Sequence, residues 1–114
     1  MSFKFEYLDV WKRSIDFADT MFDIADRLPQ KYQFSLGEQL RRAALSIPTN
    51  IAEGTGRDGV KESRYFYRIA KGSTYEVVSL LTMFYKRQFL SQTNLDRHYT
   101  EANEIAAMLT GLQR

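Results

Sequence analysis

The stretch Gln39-Leu40-Arg41-Arg42-Ala43-Ala44-Leu45-Ser46-Ile47-Pro48-Thr49-Asn50-Ile51-Ala52-Glu53-Gly54 decides the fold. Leu40, Ala43, Ile47 and Ile51 recur at steps of three and four, and Leu36 extends the row upstream, so a helix stacks them on one side. Gln39, Arg42, Ser46, Asn50 and Glu53 repeat at the same steps and form a polar stripe beside the apolar one. Ser35 and Glu38 have Ser-x-x-Glu spacing, each side chain able to bond the other's backbone amide, which places the helix start at Ser35. Pro48 has no amide hydrogen, so it frees the carbonyl of Ala44 and predicts a kink. Gly54 and Gly56 predict a flexible end.

The same periodicity extends in both directions. Downstream, Asp58 is a candidate cap for a long helix with Phe66, Ile69, Ala70, Ser73, Val77, Leu80 and Phe84 on its buried face. Upstream, a helix beginning after Asp9 stacks Trp11, Ile15, Ala18, Phe22, Ala25 and Leu28 and stops at Pro29. Thr93, with Asp96 three residues on, opens the last helix, lined by Leu95, Tyr99, Ala102, Ala106 and Leu109. Phe3, Phe5, Tyr7 and Leu8 form an arm that packs on the bundle or on a neighbouring subunit. There is no internal repeat, and no period-two alternation is long enough for a sheet. Four amphipathic helices with short connections predict an all-α, antiparallel up-and-down four-helix bundle, a single domain over residues 1–114.

Composition narrows the function. Apolar residues make up 44% and charged residues 26%, ordinary values for a water-soluble domain. No run approaches the roughly 20 apolar residues that cross a bilayer, and the opening residues lack the pattern of a secretion signal, so the expected location is cytoplasmic. There is no cysteine and one histidine, His98, which removes disulfides, thiolate metal sites and multi-histidine zinc sites. His98 sits near the apolar edge of the fourth helix and reads as a packed or hydrogen-bonded side chain. The net charge is +2, but residues 35–90 carry nine basic and five acidic side chains, a local +4, while both flanks are slightly acidic.

The run from Gln39 to Gly54 resembles the signature of the four-helix bundle proteins named after intervening sequences of bacterial 23S ribosomal RNA. Leu8-Asp9-Val10-Trp11 resembles that family's opening, and Ile69-Ala70-Lys71-Gly72-Ser73-Thr74-Tyr75-Glu76 its third-helix segment. The resemblance implies a left-handed bundle that assembles into a ring, commonly a homopentamer, with no known catalytic activity. It also extends to the basic, nucleic-acid-binding accessory variability proteins of diversity-generating retroelements. Phe84-Tyr85-Lys86-Arg87-Gln88-Phe89 departs from the pattern: it is bulkier and more basic than the small-residue end the family's third helix has.

Three groups of residues are candidates for function. Arg57, Lys61, Arg64, Arg68 and Lys71 repeat at helical steps and form a basic stripe suited to a phosphate backbone of RNA or DNA. Tyr65, Tyr67 and Tyr75 flank it as stacking platforms for unpaired bases. The competing reading is structural: Asp16, Asp19, Asp23 and Asp26 form an acidic stripe on the first helix that could neutralise the basic one across a subunit boundary in a purely protein-binding scaffold. The second group is a polar network of Gln39, Arg42, Ser46, Asn50, Glu53, Ser73 and Glu76. Glu76 falls within the apolar arc, so burial requires a partner there, with Arg42 and Asn50 the expected donors. The third is a second apolar stripe, Tyr67, Val78, Leu81 and Tyr85, read as an oligomer interface. Glu53 and Glu76 are the one pair of carboxylates that an acid–base reading can call on. With no nucleophile, metal cluster or phosphate loop beside them, no catalytic residue, metal, cofactor or small-molecule substrate is inferred.

Overall fold

The row Leu40, Ala43, Ile47, Ile51 is completely or almost completely buried in a helix, α2, spanning Glu38–Thr55. In the computed structural model, which describes Ser2–Arg114, it is one of four α-helices; the others are α1 (Asp9–Asp26), α3 (Val60–Lys86) and α4 (Gln92–Leu112). There is no strand among the described residues. Contacts are most extensive between α2 and α3, followed by α3 with α4 and α1 with α2. A smaller seam joins α1 to α4 and closes the circuit. Neither α1 with α3 nor α2 with α4 has a seam of this kind, so those pairs lie diagonally across the core. No helix among the described residues is long and apolar enough to cross a membrane.

Each helix buries a wider arc than its sequence row suggests, because each packs against two neighbours. In α1, Val10, Phe17, Ala18, Met21, Ile24 and Ala25 are buried along with Ser14, whose hydroxyl donates to the carbonyl of Trp11 at 2.8 Å. Of the expected row, Ala18, Ala25 and Leu28 are in the core, but Trp11 and Phe22 are half-buried and Ile15 is exposed. That row marks the shoulder of α1 facing α2, where Trp11 and Ile15 meet Leu45, Pro48 and Ala52 across an open groove of about 670 Å³. The arm forms a 3₁₀ turn, Lys4–Tyr7, and packs on its own bundle: Phe5 lies 4.9 Å from Trp11 between ring centres.

Helix starts differ from the capping expectations. Asp9 is the first residue of α1 rather than its cap. The Ser35–Glu38 box does not form, because the chain enters α2 through a π-helical turn, Gln33–Gly37, and the Ser35 hydroxyl contacts the carbonyl of Tyr32. Asp58 is not the cap of α3; Gly59 precedes it without a side-chain cap. α4 starts one residue before Thr93, and Ser91 caps it by accepting from the amide of Asn94 at 3.1 Å. The connection between α1 and α2 is fixed by Gln33, whose amide nitrogen donates to the carbonyls of Ala25, Asp26 and Leu28. Arg41 donates to the Gln33 side chain at 2.6 Å and to Asp26 at 2.8 Å.

Two further expectations change. Gly54 serves a close approach: a Cβ there would lie 2.8 Å from the Tyr67 ring and 3.0 Å from the carbonyl of Ser63. The bulky end of α3 finds its place against the α1–α2 connection. Phe84 is fully buried, Phe89 packs on it and on Tyr32, and Arg87 donates to the Tyr32 hydroxyl at 3.0 Å. That hydrogen bond, aided by nearby Lys31, holds the Tyr32 hydroxyl below its ordinary pKa.

Candidate nucleic-acid interface

α3 is 27 residues long and about 40 Å from end to end. Its core side carries Tyr67, Ala70, Ser73, Thr74, Val77, Leu81 and Phe84. Lys61, Arg64, Arg68 and Lys71 fall on the opposite side, one per turn, and rise about 15 Å along the axis. Lys61 and Arg68 are exposed and Lys71 is half-buried. None of these three joins an ion pair among the described residues, whose four pairs are Arg13–Glu104, Arg41–Asp26, Arg57–Glu53 and His98–Glu101.

The ends of the expected stripe behave differently. Arg57 lies in the loop before α3, where it pairs with Glu53 at 2.9 Å and lies over the Phe66 ring. Arg64 is half-buried and donates to the main-chain carbonyl of Arg114 at 2.8 Å. Its Nε is buried without a hydrogen-bond partner among the described residues. The cations free to meet an outside anion are therefore Lys61, Arg68 and Lys71.

The tyrosines divide as well. Tyr65 and Tyr75 are exposed beside the row. Tyr67 is only 8% exposed, with its hydroxyl 3.1 Å from Thr55 Oγ1. Since Thr55 donates its own proton to the carbonyl of Ile51, Tyr67 is the donor in that bond. Tyr67 is thus a core residue, unavailable to a base. Tyr99, placed on the buried face of the fourth helix by its spacing, is instead 56% exposed and lines the same α3–α4 cleft as Tyr75. His98 takes the inward position, 6% exposed, with Nδ1 2.9 Å from Glu101. The signal for this lay in the alternative row His98, Ala102, Ile105, Leu109, which keeps helical steps as well as the row through Tyr99 does.

The second apolar stripe is divided in the same way. Tyr67 and Leu81 belong to the chain's own core and are corrected as interface residues: α3 packs on two helices, so its buried arc is wide enough to take them in. Val78 and Tyr85 are half-buried, and Val78 packs against the core from its edge.

The polar network forms at its centre only. Asn50 donates to both the carbonyl and the hydroxyl of Ser46, at 2.8 and 2.9 Å, and Ser73 donates to the Ser46 hydroxyl at 2.8 Å, joining α2 to α3. Gln39, Arg42 and Glu76 surround a groove next to it, and all three are exposed. Glu76 is corrected as a buried carboxylate. The core arc of α3 turns toward Thr74 and Leu81, leaving Glu76 on the shoulder in water, where it needs no partner and makes no ion pair with Arg42. Glu53 and Glu76 line separate depressions.

Asp16, Asp19 and Asp23 are exposed on α1, which lies diagonally across the core from α3, and join no ion pair among the described residues. The molecule therefore presents an acidic and a basic face on different corners, and neither neutralises the other within the chain. Comparison with curated protein sequences returns no significant match. The family model for the 23S rRNA-intervening sequence protein matches residues 6–111, nearly all of the described chain, and the chain belongs to that family.

Proposed function

We propose that the protein is a non-enzymatic, oligomeric binding module that contacts nucleic acid through the outer face of α3. The observation that carries this reading is the row Lys61, Arg68, Lys71: three cations on one helix face with no acidic partner among the described residues, beside exposed tyrosines. A cation left unpaired along a helix face attracts phosphates by releasing their condensed counterions. The family's name, which refers to ribosomal RNA, is compatible with an RNA-related role.

Assembly, and a homopentameric ring in particular, remains part of the proposal. It is supported by the open groove at the α1–α2 shoulder, where Phe3, Ile15 and Leu45 leave apolar surface in water. An antiparallel α2–α3 pair fits two contacts, Ser46 with Ser73 and Thr55 with Tyr67, in which rising numbers on α2 meet falling numbers on α3, and the proposed bundle is left-handed and up-and-down throughout. The same reading places the protein in the bacterial cytoplasm.

One observation favours the competing scaffold. The unpaired acids of α1 and the unpaired cations of α3 are complementary and lie on different corners, as a head-to-tail ring closed by charge would need. The double variant Arg68→Glu plus Lys71→Glu separates the two readings. For nucleic-acid contact, it leaves the mass in solution unchanged and abolishes RNA binding at low salt. The native protein's binding then weakens with salt at a log–log slope of roughly −2, as about three phosphate contacts on a single strand require. Loss of assembly, with no RNA binding by the native protein, would establish the scaffold instead.

A further inference from the structure

The α3–α4 seam contains a cleft of about 270 Å³ just beyond the basic row. Tyr75 of α3 and Tyr99 of α4 line it; Ala102 and Ala106, one turn apart on α4, are buried beneath it; Thr74, Val78 and Asn103 complete the lining. The volume falls just below the roughly 300 Å³ at which pockets for drug-sized ligands begin, so the cleft suits one planar ring system rather than a whole nucleotide. Tyr75 is 63% and Tyr99 56% exposed. Neither makes a ring contact or hydrogen bond among the described residues. Two large rings thus border one cleft with more than half of their surface in water.

Lys71 stands one turn, about 6 Å, before Tyr75 on the same side of α3, and Arg68 nearly one turn before that. Charge and aromatic surface thus succeed one another in the order a single strand presents them, phosphates along the row and a base at its end. We propose that the cleft between Tyr75 and Tyr99 is a base-binding site, in which one unpaired base of a single-stranded nucleic acid stacks on the tyrosines while Arg68 and Lys71 hold the adjoining phosphates. Asn103, on the rim, offers a carboxamide that both donates and accepts, which suits the hydrogen-bonding edge of a base. A duplex keeps its bases stacked inside, so it meets the cations and leaves the cleft empty.

This proposal rests on the nucleic-acid reading of the α3 face, and its test keeps the two apart. The probe is a short single-stranded RNA carrying 2-aminopurine, with the same sequence as DNA and as an RNA duplex for comparison, titrated into the full chain at two salt concentrations. Tyr75→Leu and Tyr99→Leu keep apolar bulk but remove the stacking face. Each is expected to weaken single-strand binding on the order of tenfold, to leave the salt slope and duplex binding unchanged, and to abolish the fluorescence quenching that the native protein causes. Circular dichroism melting and solution mass, unchanged in both variants, exclude a folding or assembly defect. Native-like affinity and quenching in the leucine variants, with binding still lost in Arg68→Glu plus Lys71→Glu, overturn the base site and retain the phosphate-binding face. A fall in solution mass in the leucine variants also overturns it, identifying the tyrosines as a subunit contact. Absence of single-strand binding by the native protein at low salt overturns both proposals. Equal effects with RNA and DNA show that the site reads the base; a loss confined to RNA shows that the sugar hydroxyl contributes as well.

Discussion

α3 meets its two neighbours in opposite ways. Toward α2 the seam is closed: Gly54 lets the Tyr67 ring approach the backbone, Tyr67 donates to Thr55, and Ser46 bonds Ser73. Toward α4 small residues leave a cleft bordered by two exposed rings. The same residue type therefore has two roles on one helix, eight positions apart. Tyr67 is structural because its ring is enclosed and its hydroxyl has an acceptor. Tyr75 has neither, so the chain's own stability gives no reason for a tyrosine there.

That difference predicts the largest contrast in stability. Tyr67→Ala empties a packed site and is expected to cost about 3–5 kcal/mol, as other large-to-small aromatic changes do. Tyr75→Ala and Tyr99→Ala should stay within about 0.5 kcal/mol of the native chain. Denaturant unfolding of the three variants checks this. A large loss at Tyr75 would mean that the open seam is as structural as the closed one.

The next effect isolates the close approach. Alanine in place of glycine inside a helix normally gains about 1 kcal/mol. At position 54 the added methyl meets the Tyr67 ring at 2.8 Å and a backbone oxygen at 3.0 Å. Gly54→Ala is therefore expected to destabilise by about 1–3 kcal/mol, seen as a lower thermal midpoint. A smaller loss is expected from Ser91→Ala, about 1 kcal/mol, because the Asn94 amide loses its cap.

Why some of this was legible in the sequence and some was not follows from the same seams. The apolar row of α2 was legible because a helix between two neighbours still has one dominant inward direction, and Leu40, Ala43, Ile47 and Ile51 point along it. In α1 the row Trp11, Ile15, Phe22 is just as periodic, yet it follows a shoulder; periodicity gives a face but does not say which of two apolar faces is central. Glu76 and Leu81 were exchanged between inside and outside for that reason, since a rotation of α3 by a fraction of a turn brings in one and releases the other. The basic row was legible as a row. Its division into paired Arg57, half-buried Arg64 and free Lys61, Arg68 and Lys71 depends on Glu53 and on the carbonyl of Arg114, fifty residues from Arg64. Tyr99 falls in the expected core row because its spacing fits it, and the cleft it lines instead exists only once two helices are side by side.

The smallest effect has the opposite sign. Gly72 sits in the interior of α3 between the closed seam and the basic row, and a Cβ built on it meets nothing within 4 Å. A glycine at such a position costs helix stability through the unfolded chain's greater freedom, and no contact within the chain requires it. Gly72→Ala is accordingly expected to raise stability by about 0.5–1 kcal/mol, a rise of several degrees in thermal midpoint for a chain of this size. Measured over a hundredfold range of protein concentration, the gain should be constant if the α3 face is open to solvent. A gain seen only in dilute protein, and reversed where the chain associates, would mean that another copy approaches the backbone at Gly72 as closely as Tyr67 approaches it at Gly54. The contrast would then lie between a seam closed within the chain and one closed between copies.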